Sequence, residues 1–169
     1  MKSIIDIINN GQKKLEKLGS KTKFIISNPQ KQKQIEKFEK KFKITLPEDY
    51  KDFIICHGLL YIRYNDDYDM YRMLDIESMI DYTLDLREDL PSYSRVTEQM
   101  AETVFPFQCI MDDQLQEYYV FRLNLKNNDF YIHDLDEQWN KLSDNKYIYA
   151  DTFTDHINKF VDKIVSISE

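Results

Sequence analysis

A proline at position 47 breaks the stretch ITLPEDYKDFI, residues 44–54, and constrains this chain more than any other residue. Inside a helix its ring would cost about 3 kcal/mol, through a lost hydrogen bond and a clash with the preceding turn. At the first helical position the ring is tolerated, because the amide there has no intrahelical partner. The chain is therefore expected to break before Pro47 and to start a new helix on it. Glu48 and Asp49 would then fall in the first turn, where the helix dipole favours negative charge. Tyr50, Phe53, Ile54 and His57 would share a face, and Gly58 would end the helix by permitting a left-handed turn. Leu46 is a poor cap, so the acids and tertiary packing must compensate.

The segments around this corner follow from periodicity. Residues 3–18 place Ile4, Ile8, Leu15 and Leu18 at helical spacing, with Gly11 as a weak point and Gly19 as a stop. Residues 24–26 read as a short extended piece. Asn28 is expected to cap, and Pro29 to open, a helix running to Phe42 with an inner stripe of Ile35, Phe38 and Phe42. On its outer face Glu36 with Lys40, and Glu39 with Lys43, form i,i+4 pairs. LLYIRY and MYRML are strand-like runs around the acidic turn NDDYD. Residues 76–88 return to helical period through Ile76, Met79, Ile80, Thr83 and Leu84.

The stretch 104–135 reads as sheet. In YYVFRLNL, Tyr119, Phe121, Leu123 and Leu125 take one face while Arg122 and Asn124 take the other. With FYIHDL this makes an antiparallel hairpin over 117–135. Pro106 predicts an edge strand or the start of a strand. Asp151 or Thr152 caps a last helix carrying Phe153, Ile157, Phe160, Val161 and Ile164. Helices at the N- and C-terminal ends of a mostly antiparallel central sheet make an α+β domain spanning 1–169, with residues 1–30 as an N-terminal helical extension.

This order of parts resembles the SUKH superfamily over residues 31–163. The specific part is IEKFEKKFKITLPEDYKDFI, Ile35 to Ile54: an amphipathic helix, then Leu-Pro, two acidic residues, Tyr, and a helix continuing into Phe. VFPFQC at 104–109 is similar to the family's strand beginning in Pro-Phe. ADTFTDHINKFVD at 150–162 is similar to its closing segment, and Trp139 falls where the family often has an aromatic. The resemblance makes Leu46, Pro47, Tyr50, Phe53, Pro106, Phe107 and Phe153 structural. It implies a bacterial immunity protein that binds a toxin, many of those toxins being nucleases. The alternative it implies is a regulatory or scaffolding module like the fungal cell-wall regulators. No shared catalytic set goes with the family.

A search for chemistry agrees. His57, His133 and His156 have no paired-ligand spacing, and three glycines in 169 residues leave no room for a phosphate-cradling loop. His133-Asp134 reads as a strand residue followed by a turn acid sooner than as a metal site, and no cofactor is expected. Cys56 and Cys109 sit in apolar surroundings and read as core residues. No run suits a membrane helix, and Asp6 interrupts the apolar start, so a cytoplasmic protein is expected.

Charge points to a partner. Residues 1–46 hold twelve lysines against four acids, while residues 47–169 hold 26 acids against eleven cations, giving −7 overall. Such a chain is not expected to seek nucleic acid, although its acidity suits a basic protein partner. The run YIRYNDDYDMY has the tyrosines and aspartates of a binding surface: Tyr64, Asp66, Asp67, Tyr68, Asp69 and Tyr71. Its bland alternative is a hairpin whose tyrosines pack on the sheet. Asp112, Asp113 and Glu117 form a second candidate patch.

Overall fold

In the computed structural model, residues 3–92, 97–110, 118–135 and 148–168 are described. Helix α1 (Ile4–Lys17) leads into strand β1 (Thr22–Ser27), followed by helices α2 (Gln32–Phe42) and α3 (Glu48–Cys56). Strands β2 (Leu59–Tyr64) and β3 (Tyr68–Met73) form a hairpin, and helices α4 (Ile76–Asp89) and α5 (Glu98–Ala101) follow. Strands β4 (Val104–Ile110), β5 (Tyr118–Asn124), β6 (Asp129–Leu135) and β7 (Ile148–Ala150) precede helix α6 (Phe153–Ser166). The seven strands lie in one sheet in chain order, and every neighbouring pair is antiparallel. The expected α+β class, with helices at both ends, is what the chain adopts.

The proline corner is built differently in detail from the expectation. Pro47 is the N-cap residue, with extended ψ of 134°, and the helix begins at Glu48. The missing side-chain cap is replaced by two carboxylates. Glu39 on α2 accepts the Leu46 amide at 2.8 Å and pairs with Lys51 at 3.3 Å. Hence Glu39 serves the corner and does not pair with Lys43. Asp49 accepts the Tyr50 amide at 3.0 Å, while its other oxygen takes the amide and hydroxyl of Thr154, each at 2.9 Å. One acid thus ties the first turns of α3 and α6, both of which present orphan amides.

The residues singled out by the family resemblance converge although 107 positions separate Leu46 from Phe153. Tyr50 is fully buried, its hydroxyl meets the Met79 sulfur at 3.0 Å, and its ring meets Phe107, Phe121 and Phe153 edge-on at 4.9–5.9 Å. Phe107 stacks on Phe121 at 4.1 Å, and Phe53 lies 5.7 Å from Phe153. Burial pushes the Tyr50 phenol well above its usual range, so the group stays neutral. Each edge-on pair adds about 0.5–1.5 kcal/mol beyond its area. The corner therefore positions the aromatic centre of the core.

Other expectations are corrected. Asn28 does not cap α2: it is left-handed at φ 57°, and the helix starts at Gln32 after Gln30 has bonded the Ile54 carbonyl at 2.8 Å. Pro106 lies inside the central strand β4, at a bulge where the pairing skips from Pro106↔Val120 to Gln108↔Tyr119. Strand β3 pairs with β4 only from Gln108 onward, so the missing amide breaks no ladder bond on that side. Leu84 and Leu125 are exposed, and Cys56 is exposed while Cys109 is buried. Tyr118 to Phe121 are all buried, because both faces of β5 are covered at that end.

The first thirty residues belong to the same core. Ile8 and Leu15 of α1 join it, and a Cβ on Gly11 would collide with Val161 of α6, so the glycine permits close helix contact. β1 is an edge strand with two of its outward amides already used: Phe24 donates to the Gln12 side chain at 2.9 Å and Thr22 to Ser20 at 3.1 Å. That blunts the edge against further pairing.

Candidate protein-binding site

The β2–β3 hairpin carries most of the candidate residues. Asn65 and Asp66 are successive left-handed residues, φ 56° and 63°, a conformation their side chains tolerate better than most. The Asn65 amide donates to the Lys21 carbonyl at 3.1 Å, which pins the turn to the start of β1. Tyr64 and Tyr68 face each other across this turn and are 48% and 47% exposed.

The aspartates are less free than their sequence suggests. Both oxygens of Asp66 take the Lys23 ammonium at 2.8 Å. Asp69 takes the Arg63 guanidinium in a two-pronged pair, at 2.6 and 3.3 Å, which raises the Arg63 pKa. Asp67 alone of the three makes no ion pair among the described residues. Exposed pairs such as Lys23–Asp66 are weak and exchangeable.

Tyr71 does not belong to the surface. It is 7% exposed, with its ring 5.1 Å from Phe160. A bulge at Met70, between the pairs Ile62↔Tyr71 and Arg63↔Asp69, puts Tyr71 on the same face as Tyr64 and Tyr68, but at a point along the sheet that Phe160 of α6 covers. Asp112, Asp113, Glu117 and Trp139 lie outside the described residues. Their described neighbours Ile110 and Tyr118 stand at the sheet end that carries the Tyr64–Tyr68 turn, as the pairing Tyr71↔Ile110 requires.

A groove of about 450 Å³ adjoins Tyr64, walled by Leu18, Gly19, Met70 and Ile167. Leu18 and Ile167 are 46% and 58% exposed and are the C-cap residues just past α1 and α6. Sequence periodicity placed Leu18 on the inner stripe; the helix ends one residue before it, which frees the side chain.

The titratable groups elsewhere have structural positions. His156 is fully buried, its Nε2 2.8 Å from the Gln108 amide oxygen, and burial pushes its pKa down to about 3. His133 is also fully buried, with no hydrogen-bond partner for either ring nitrogen among the described residues, and burial beside Arg122 lowers its pKa to about 4. Asp134 follows it on the strand and so points to the opposite face, which separates the pair as metal ligands. No three His, Cys, Asp or Glu residues among those described gather as a metal site. No helix among them is long and apolar enough to cross a membrane.

A comparison with curated proteins returned no match. A family model, described as SMI1 / KNR4 family (SUKH-1), matches residues 29–159, from just before α2 into α6. That span contains the proline corner, the aromatic centre and the tyrosine hairpin, and it excludes α1, β1 and the end of α6. This chain belongs to the SMI1 / KNR4 family (SUKH-1).

Proposed function

We propose that the protein is an immunity protein that binds and neutralises a cognate protein toxin, with a basic nuclease domain as the favoured partner class. It acts by binding and not by turnover. The observation that carries this reading is the Tyr64–Tyr68 pair: two half-exposed rings on a turn pinned to β1. Tyrosines of this kind supply large contact area for little lost side-chain entropy, and interface energy concentrates in such anchors. The two flanking ion pairs can exchange their cations for those of a basic partner. A net charge of −7 supports faster encounter with such a partner, by roughly 10 to 1,000-fold at low salt.

Co-expression with the toxin encoded beside it tests the function. The native protein should restore growth, and the Tyr64→Ala/Tyr68→Ala pair should lose protection, with binding weakened roughly 30-fold or more and unfolding unchanged. Failure to protect against every neighbouring toxin candidate would refute the immunity role. Full protection by the double variant would refute the assigned surface. Capture of several housekeeping proteins instead would support the regulatory alternative.

A further inference from the structure

At the opposite end of β2, six residues and about 20 Å from the tyrosine pair, a second groove runs between the start of α1 and the end of α3. Its volume is about 580 Å³. Ile4 and Ile5 of α1 form one apolar wall, and Phe53 and Cys56 of α3 form the other. Asp49 and Asp52 stand at its rim, and among the described residues no lysine or arginine lines it. The groove between α1 and α6 is the reverse, with Lys13, Lys14 and Lys17 in its lining.

Among the described residues no cation compensates the rim charge. Asp49 is held by neutral donors only, the amides of Tyr50 and Thr154 and the Thr154 hydroxyl. Asp52 is exposed, and neither acid makes an ion pair among the described residues. The positive end of the α1 dipole, which abuts the groove, is already answered by Asp6 through the Ser3–Asp6 capping box. Apolar walls beneath a one-signed rim select a complementary occupant.

We propose that this groove docks a partner-protein segment in which an apolar side chain is flanked by lysine or arginine. The apolar group fills the space between Ile4, Ile5 and Phe53, and the flanking cations meet Asp49 and Asp52. The α1 wall lies outside residues 29–159, whereas the α3 wall and both acids lie inside them. The site is separate from the tyrosine surface and stands or falls independently of the immunity reading.

Cys56 supplies the test, because it is exposed in the groove while Cys109 is buried. The probe is a short amphipathic peptide of leucine and lysine, with a leucine–glutamate peptide as its counterpart. At about ten times its dissociation constant, the lysine peptide should slow maleimide alkylation of Cys56 about tenfold, and salt should weaken the protection. The glutamate peptide should give none. Asp52→Lys, at an exposed position, should abolish protection with the unfolding midpoint unchanged, and Asp52→Asn should reduce it. A thiol placed by Asp67→Cys in a Cys56→Ser background should stay reactive. No protection of Cys56, equal protection by both peptides, protection that survives Asp52→Lys, or equal protection at position 67 would each overturn the proposal.

Discussion

Replacing Asp49 with alanine should destabilise the protein by about 2–3 kcal/mol, more than any exposed acid can account for. Its carboxylate accepts two hydrogen bonds from Thr154 at the start of α6, each 2.9 Å, and one from the Tyr50 amide at 3.0 Å. A hydrogen bond to a charged group contributes about 1.5–3 kcal/mol, and solvent screening at a half-buried site reduces that to about 1 kcal/mol for each inter-helix bond. The charge in the first turn of α3 adds about 0.3–1 kcal/mol. For a chain of this length each kcal/mol moves the melting temperature by about 2–4 °C, so a fall of roughly 5–10 °C is expected. Asp49→Asn keeps an acceptor and loses the charge, and should cost about 1 kcal/mol. Urea unfolding with unchanged slope is the assay, and Asp52→Ala on the same helix is the control, expected within about 0.5 kcal/mol. A double-mutant cycle with Thr154→Val should give a coupling of about 1 kcal/mol. A loss no greater than the control's, or a coupling near zero, would refute the idea that this acid joins the two helices.

Gly58→Ala should destabilise by about 1–3 kcal/mol, because its φ is +109° and a Cβ there would meet the Ser27 carbonyl; a neutral result in urea would show that this junction relaxes. Gly11→Ala gains about 1 kcal/mol of helix propensity but forces Val161 aside, so a small net loss is expected, and a net gain would show that α1 and α6 can move apart. His133 and His156 have folded pKa values of about 4 and about 3, below the ~6.5 of an unfolded chain. Stability from each is therefore full above about pH 7 and falls with acidification by up to about 1.4 kcal/mol per pH unit, levelling near pH 4 for His133 and pH 3 for His156. His156→Gln should flatten the stability–pH curve between pH 6 and about 4, and an unchanged slope would refute its role. Cys56 should react with maleimide in the native state while Cys109, whose thiol burial pushes up, reacts only on unfolding; equal rates would contradict their placement.

Much of the architecture was legible because it rests on local pattern. The stripe Phe153, Ile157, Phe160, Val161, Ile164 predicted α6 with Asp151 or Thr152 as its cap, and it is Thr152 that accepts the Asp155 amide. The strands on either side of the NDDYD turn and the β5–β6 hairpin were legible for the same reason. Sequence also picked out Tyr64, Tyr68 and Asp67, which are exposed, and Tyr71, which is not. The miss follows from α6, whose Phe160 covers Tyr71 through a contact that a local run of residues does not show. Glu39 looked like half of an i,i+4 pair, and only the folded corner supplied the Leu46 amide it prefers.

The sequence by itself determined most of the long helices and strands, where the chain must break at Pro47, and that its acids outnumber its cations. Those are properties of residues and their nearest neighbours. Only the tertiary structure decided that Asp66 and Asp69 are matched by Lys23 and Arg63, and that Asp49 and Asp52 overlook an apolar groove lined by no lysine or arginine among the described residues. The distinction is physical: periodicity is written along the chain, whereas the partner of a charge is whatever the fold brings within a few ångströms of it.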